Sequence, residues 1–127
     1  MKFAVASPLA GRGAVREKQR RDRLAAPVMR ARYPQLGSLQ LDFIFRDNTE
    51  FLPSPQVTVF HPPARAYFCF ACPYSDCDGE FNLTSPVDLA VTSNDPNSSA
   101  QVRCAGTRHR GTPCTLCLDY SIAAHWL

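Results

Sequence analysis

Between residues 38 and 47 the chain reads SLQLDFIFRD, and apolar and polar positions alternate almost without a break. Leu39, Leu41, Phe43 and Phe45 fall on one side and Gln40, Asp42 and Arg46 on the other, with Ile44 out of pattern. A period of two is that of a half-buried strand, because successive side chains leave a strand on opposite faces. QVTVFH (residues 56–61) predicts a second strand, ended by Pro62 and Pro63, which cannot donate to a ladder. ARAYFCFAC (residues 64–72) predicts a third, with Ala66, Phe68, Phe70 and Cys72 on one face. AQVRCAG and CTLCLDYSI read as a closing hairpin, and NTEFLPSP and SNDPNSS as loops.

Two segments carry the helical period instead. Residues 14–34, AVREKQRRDRLAAPVMRARYP, are rich in strong helix formers, and Leu24, Val28 and Met29 recur at helical spacing. Pro27 lies inside, and an interior proline costs about 3 kcal/mol, so the helix should kink or break there. The apolar positions are confined to the second half, which places residues 24–33 against the core and leaves residues 12–23 largely solvated. TSPVDLAV predicts a short helix with Thr84 or Ser85 as N-cap and Pro86 at its first position. The expected fold is α+β, an antiparallel sheet of about five strands with two helices on one side, and a meander is the default topology. There is no internal repeat.

A length of 127 residues with 45% apolar content suits one globular domain with one modest core. No apolar run approaches the roughly 18 residues of a membrane span. The start, MKFAVASPLAGRGA, has a short apolar stretch broken by Pro8, whereas a secretory signal needs a core of roughly 7–15 residues. A cytoplasmic protein without membrane attachment is therefore expected, and the glycosylation patterns at Asn82 and Asn97 would be idle there.

Charge divides the chain unevenly. Residues 1–33 hold nine Lys or Arg against Glu17 and Asp22, a net +7, while the rest holds five Arg against nine acids, a net −4, together the formal +3. The sequence thus divides into a basic helical arm, residues 1–33, and an α+β domain, residues 34–127.

The six cysteines all follow residue 68. In a cytoplasmic chain such a group points to metal ligands or buried thiols rather than disulfides. Two C-x-x-C pairs, Cys69/Cys72 and Cys114/Cys117, form one candidate set. Strand phase opposes it: Cys69 and Cys72 lie on opposite faces of their strand, as do Cys114 and Cys117. Turn-like sequence lies elsewhere. CPYSDCDG runs from Cys72 past Cys77, and AGTRHRGTP separates Cys104 from Cys114. The preferred ligand set is therefore Cys72, Cys77, Cys104 and Cys114, with the two C-x-x-C pairs and a metal-free cluster as alternatives. Antiparallel pairing of the third and last strands would put Cys72 opposite Cys114 and, in the same register, Cys69 opposite Cys117. Cys69 and Cys117 are then either ordinary half-buried strand residues or a cross-strand disulfide or redox pair.

Two cysteine-bearing turns at the end of a small antiparallel sheet resemble the zinc ribbons, over residues 64–122. CPYSDCDG is similar to a lengthened C-P-x-x-C-G knuckle, and the second turn departs further, with nine residues between its cysteines against the usual two to four or so. The resemblance implies one structural Zn²⁺ per chain, clamped at one end of the sheet. Four thiolates leave no open coordination position, so such a site is structural and not catalytic.

Signals for catalysis are sparse. His61, His109 and His125 are scattered with no adjacent general-base partner, although His109 could stand in for one cysteine. Asp76, Asp78 and Glu80 in SDCDGE lack calcium-loop spacing and read as solvated turn carboxylates. No phosphate-binding glycine loop or nucleophile motif is present, and no enzymatic activity is expected. Binding is the better expectation. Arg12, Arg16, Lys18, Arg20, Arg21 and Arg23, assisted by Arg108 and Arg110, suit phosphate contacts on nucleic acid. The alternative partner is an acidic protein docked on the same helix, the chain acting as an adaptor. Tyr67 is the only aromatic expected on the outer face of its strand, too little for a base-stacking platform.

Overall fold

The computed structural model describes residues 8–48, 50–52, 55–93 and 97–127, with no side-chain description for residues 8–12, 50, 51 and 97. The architecture is α+β. The alternating segment forms β1 (Leu36–Asp47), the longest strand. Leu39, Leu41, Phe43 and Phe45 are buried, and Ile44 keeps the alternation by standing half-exposed on the outer face. The chain then returns along one edge of β1 in two pieces, β2 (Glu50–Phe51) and β3 (Gln56–Phe60). Pro53 and Pro55 separate them in sequence, and a proline has no N–H to give the ladder.

The hairpin at the end of the chain forms as expected, from β6 (Asn97–Arg103) and β7 (Leu116–Trp126). β7 also pairs with β1 along its whole length, from Leu36 opposite Trp126 to Asp47 opposite Leu116. The five-stranded sheet therefore has the order β2-β1-β7-β6 with β3 also on β1, so first and last strands are central neighbours and the meander is corrected.

The third expected strand is also corrected. Only Cys69–Ala71 is strand (β4), and it pairs with β5 (Glu80–Asn82) in a separate two-stranded sheet rather than with β7. After Pro62 and Pro63 the chain is held instead by the segment before β1. Met29 N–H donates to Ala64 C=O at 2.7 Å, Arg30 N–H to Pro62 C=O at 3.0 Å, and Ala66 N–H to Pro27 C=O at 2.8 Å. Those bonds turn residues 62–66 away from the main sheet.

Helix α1 (Pro8–Ala25) begins earlier than its apolar pattern suggested and stops ahead of Pro27, as the proline requires. One further turn, α2 (Met29–Arg32), buries Met29, and Tyr33 beyond it is buried too. Leu24 does not dock and is 63% exposed. It lies five residues beyond Gln19, about 140° around the helix, and Gln19 is the residue that faces the protein, 6% exposed. In α3 (Thr84–Thr92) neither Thr84 nor Ser85 caps the helix; Asn82 Oδ1 accepts the Thr84 N–H at 3.0 Å.

The core lies between one face of the main sheet and a layer made of α2, α3 and the β4–β5 hairpin. Aromatic contacts join the two: Phe43 to Phe70 at 4.9 Å between ring centroids, Phe45 to Phe81 at 5.6 Å, and Phe60 to Phe68 at 5.1 Å. Arg32 and Tyr33 both donate to Asp88, which fastens α2 to α3. No helix among the described residues is long and apolar enough to cross a membrane.

Candidate metal centre

Cys72, Cys77, Cys104 and Cys114 come together, all buried, with every Sγ within 4.8 Å of the other three. The first turn carries Cys72 and Cys77 between β4 and β5, and the second carries Cys104 and Cys114 between β6 and β7. Cys72 and Cys114 meet as expected, but through these two turns and not through a shared ladder.

The turns are built alike. Cys72 N–H donates to Gly79 C=O at 3.0 Å, and Cys114 N–H donates to Gly106 C=O at 3.0 Å. Gly79 N–H points at Cys77 Sγ, 3.3 Å away, and Gly106 N–H at Cys104 Sγ, 3.4 Å away. Each turn thus holds a Cys-x-Gly in which the glycine feeds its N–H to the sulfur and its carbonyl to the other cysteine. The order is reversed along the chain: Cys-x-Gly ends the first turn and begins the second. The doubled Cys-x-Gly, Cys77-Asp78-Gly79 and Cys104-Ala105-Gly106, was available in the sequence, unlike the contact between its glycines.

The close sulfur pairs link equivalent positions, Cys72 with Cys114 at 3.9 Å and Cys77 with Cys104 at 3.7 Å. Both separations far exceed the roughly 2.05 Å of a disulfide, and all six cysteines are free thiols. A tetrahedron with metal–sulfur bonds of about 2.3 Å has edges of about 3.8 Å, which the two close pairs match, and the remaining separations, all within 4.8 Å, keep the four sulfurs within reach of one ion. Burial raises the Cys72 thiol pKa and pushes Cys104 up to about 12. Four buried thiolates therefore need a cation among them, since an uncompensated buried charge is strongly disfavoured.

Polar side chains lace the two turns together. Arg108 donates twice to Asp76 Oδ1, from Nη2 at 2.8 Å and Nε at 3.0 Å, and its guanidinium lies 3.9 Å from the Tyr74 ring centroid. Thr107 N–H donates to Asp78 Oδ1 at 2.7 Å. Tyr74 O–H and Thr115 O–H both donate to Asp47, at 2.6 and 2.7 Å. Burial and then Asp47 push the Tyr74 hydroxyl up to about 12, while the Arg108 hydrogen bond holds Asp76 below the usual carboxylate range. Asp76 and Asp78 are thus bridges between the turns, not merely solvated turn carboxylates. Glu80 likewise has partners, accepting from Lys18 at 3.3 Å and Gln19 at 3.0 Å.

Cys69 and Cys117 do not face each other. Cys69, on β4, is opposite Asn82 of β5, whereas Cys117 stands on β7 between Arg46 and Arg103. The shared register needed β4 on β7, and with β4 on β5 a cross-strand disulfide between them is ruled out. Both are half-buried strand residues, and burial raises the Cys69 thiol pKa. His109 is exposed and meets Asp76 through its backbone N–H rather than joining the sulfurs.

The basic residues are dispersed in their pairing. Arg16, Lys18, Arg20, Arg21 and Arg23 are exposed on α1; the Arg12 side chain lies outside the described residues. Lys18 pairs with Asp22 at 3.1 Å and Glu80 at 3.3 Å, Arg20 with Glu17 at 2.8 Å, and Arg23 lies 5.3 Å over the Tyr67 ring. Arg110 is exposed, in a left-handed conformation (φ 66°), while Arg108 is committed to Asp76. Compared with protein-family models, curated protein sequences and solved structures, the chain matches none of them.

Proposed function

We propose that the chain is a small zinc-binding accessory protein whose four-cysteine site is structural and whose α1 contacts nucleic acid. The observation that carries the metal half is the buried set of four sulfurs within 4.8 Å of one another, with a backbone N–H aimed at Cys77 and another at Cys104. An all-sulfur tetrahedral set suits Zn²⁺ and leaves no position for a substrate or an activated water. Two cysteine turns clamping one ion is the zinc-ribbon plan, here with a long second turn and a larger sheet. Arg108, tied to Asp76, fits that structural centre better than a ligand-binding role.

The binding half rests on α1. Arg16 and Arg21 are exposed and make no ion pair among the described residues, so they can meet phosphates at little internal cost. Non-specific affinity of this kind has a Kd on the order of 10⁻⁴–10⁻⁶ M at physiological salt and weakens as salt rises, because counterions are released on binding. A mobility-shift titration of duplex DNA and RNA at two salt concentrations tests it. Arg20→Ala with Arg21→Ala should lower both affinity and salt slope, by roughly one unit of slope for each phosphate no longer neutralised. No shift at low salt excludes this reading.

The adaptor reading has one observation of its own. Leu24, 63% exposed beside Arg21 and Arg23, offers an apolar anchor that a phosphate backbone would not use. Retention of an acidic protein partner that is abolished by Leu24→Glu, with no nucleic-acid shift, would favour it.

A further inference from the structure

We propose that β3 is a self-pairing edge: two copies of the chain join antiparallel along Gln56–Phe60, about a two-fold axis at Thr58, merging two five-stranded sheets into one. The proposal does not depend on what α1 binds.

One side of β3 is taken up by β1, from Leu39 opposite Phe60 to Phe43 opposite Gln56. Among the described residues no strand, turn or loop pairs with its other side. Exposed strand edges are templates for another strand, and proteins ordinarily blunt them with charge, proline or a bulge. Here QVTVF contains no charge and no proline, and its ladder to β1 is regular. Pro55 and Pro62 bound the strand, which limits any added pairing to the segment between them. The opposite edge of the sheet, β6, ends instead on exposed Arg103.

The side chains choose the occupant. With Thr58 on the axis, Val57 of one copy opposes Val59 of the other, and Gln56 opposes Phe60. Val57 and Val59 are the exposed pair, 64% and 44%, and both stand on the outer face beside Asp42 and Gln40. Two copies would close those valines into one apolar stripe of four, and β-branched side chains are favoured cross-strand partners. On the inner face Thr58 meets its own equivalent, another favoured pair. Along each outer-face row Asp42 of one copy is followed by two valines and then by Gln40 of the other copy, so no like charges are juxtaposed.

Sedimentation equilibrium of the full, metal-loaded chain over a concentration series tests the proposal, with hydrogen exchange of the β3 amides as a second readout. The expected result is a concentration-dependent dimer whose residue 56–60 amides gain protection as it forms. Val57→Lys with Val59→Lys, on an exposed face, should abolish the dimer while metal content and unfolding transition stay unchanged. A chain that remains monomeric up to about 1 mM overturns the proposal and leaves the edge to an extended segment of a different protein. A dimer that survives the two lysines, or forms without protection of β3, overturns it as well.

Discussion

Gly79 and Gly106 lie back to back between the two cysteine turns. A Cβ added to Gly106 would stand 2.4 Å from Gly79 Cα and 2.8 Å from Cys77 Sγ; one added to Gly79 would stand 2.3 Å from Cys104 Sγ. Each glycine therefore makes room for its counterpart and for the sulfur that the counterpart serves. That is a requirement for close approach, not for a left-handed backbone.

Gly106→Ala or Gly79→Ala should accordingly force the turns apart. The neighbouring atoms are backbone and ligand sulfur, which cannot swing aside, so the cost should be at least the 1–3 kcal/mol or so of an overpacked core, with the metal released or held more weakly. Metal content and urea midpoint measure it. Gly13→Ala, a position with nothing within 4 Å of the added carbon, is the control and should be neutral or slightly stabilising. A Gly106→Ala protein with full metal and unchanged midpoint would contradict the packing.

The purified protein should carry one Zn²⁺ per chain, and a strong chelator should remove cooperative unfolding. Metal binding of this kind supplies folding free energy, on the order of 10–16 kcal/mol in small zinc modules at neutral pH. Cys77→Ser and Cys104→Ser should lose the ion, whereas Cys69→Ser and Cys117→Ser should keep it, because those two stand on separate sheets away from the cluster. Elemental analysis of the four variants distinguishes the ligand sets. An ion retained by Cys104→Ser and lost by Cys117→Ser would reverse the assignment.

How far the sequence reached depends on whether a feature was local. The alternation in β1 and the turn chemistry of CPYSDCDG are local, and both elements are where they were expected. Phase along a strand says which residues share a face, but not which strand lies alongside. Cys72 and Cys114 therefore met for a different reason from the one their numbering offered. Equal spacing in the two C-x-x-C pairs made the register sum agree automatically, so that agreement carried no information about β4. The β1–β7 pairing joins residues some 80 positions apart, and no short-range pattern encodes such a contact. Leu24 misled for a related reason: its spacing is helical, but the contact face of α1 is polar and centred on Gln19.

Asp88 gives a pH dependence whose sign follows from its partners. Burial opposes its ionisation, yet the Tyr33 and Arg32 hydrogen bonds prevail and its pKa is lowered. A depressed carboxyl contributes stability above its unfolded pKa, about 3.9, and that contribution is lost as pH falls through the folded value. Tyr33 is raised by burial and by Asp88 to about 12, so its contribution is present below about 10 and lost as pH climbs toward 12. Asp88→Asn should cost about 1 kcal/mol near neutrality, modest because the Arg32–Asp88 pair is partly exposed. Its stability should also fall less steeply than the parent's below pH 4 or so. Identical acid limbs for the two proteins would remove Asp88 from the account.

Helix α1 should be separable in stability from the rest of the chain. Its observed attachments are polar: Gln19 and Lys18 to Glu80, and Arg23 over Tyr67, with Leu24 turned away. Polar contacts at a partly exposed surface hold a helix weakly, and the break before Pro27 leaves it no continuous helical support from α2. Trypsin should therefore cut within residues 16–23 before the body of the protein unfolds. Glu80→Gln, which removes the charge facing Lys18, should speed that cleavage several-fold while metal content stays at the parent level. Deletion of residues 1–20 should leave a folded, metal-bearing protein, since Met29 and Tyr33, which enter the core, remain. If the deletion instead yields insoluble or metal-free protein, α1 belongs to the folding unit and the Gln19–Glu80 contact is worth far more than its exposure implies.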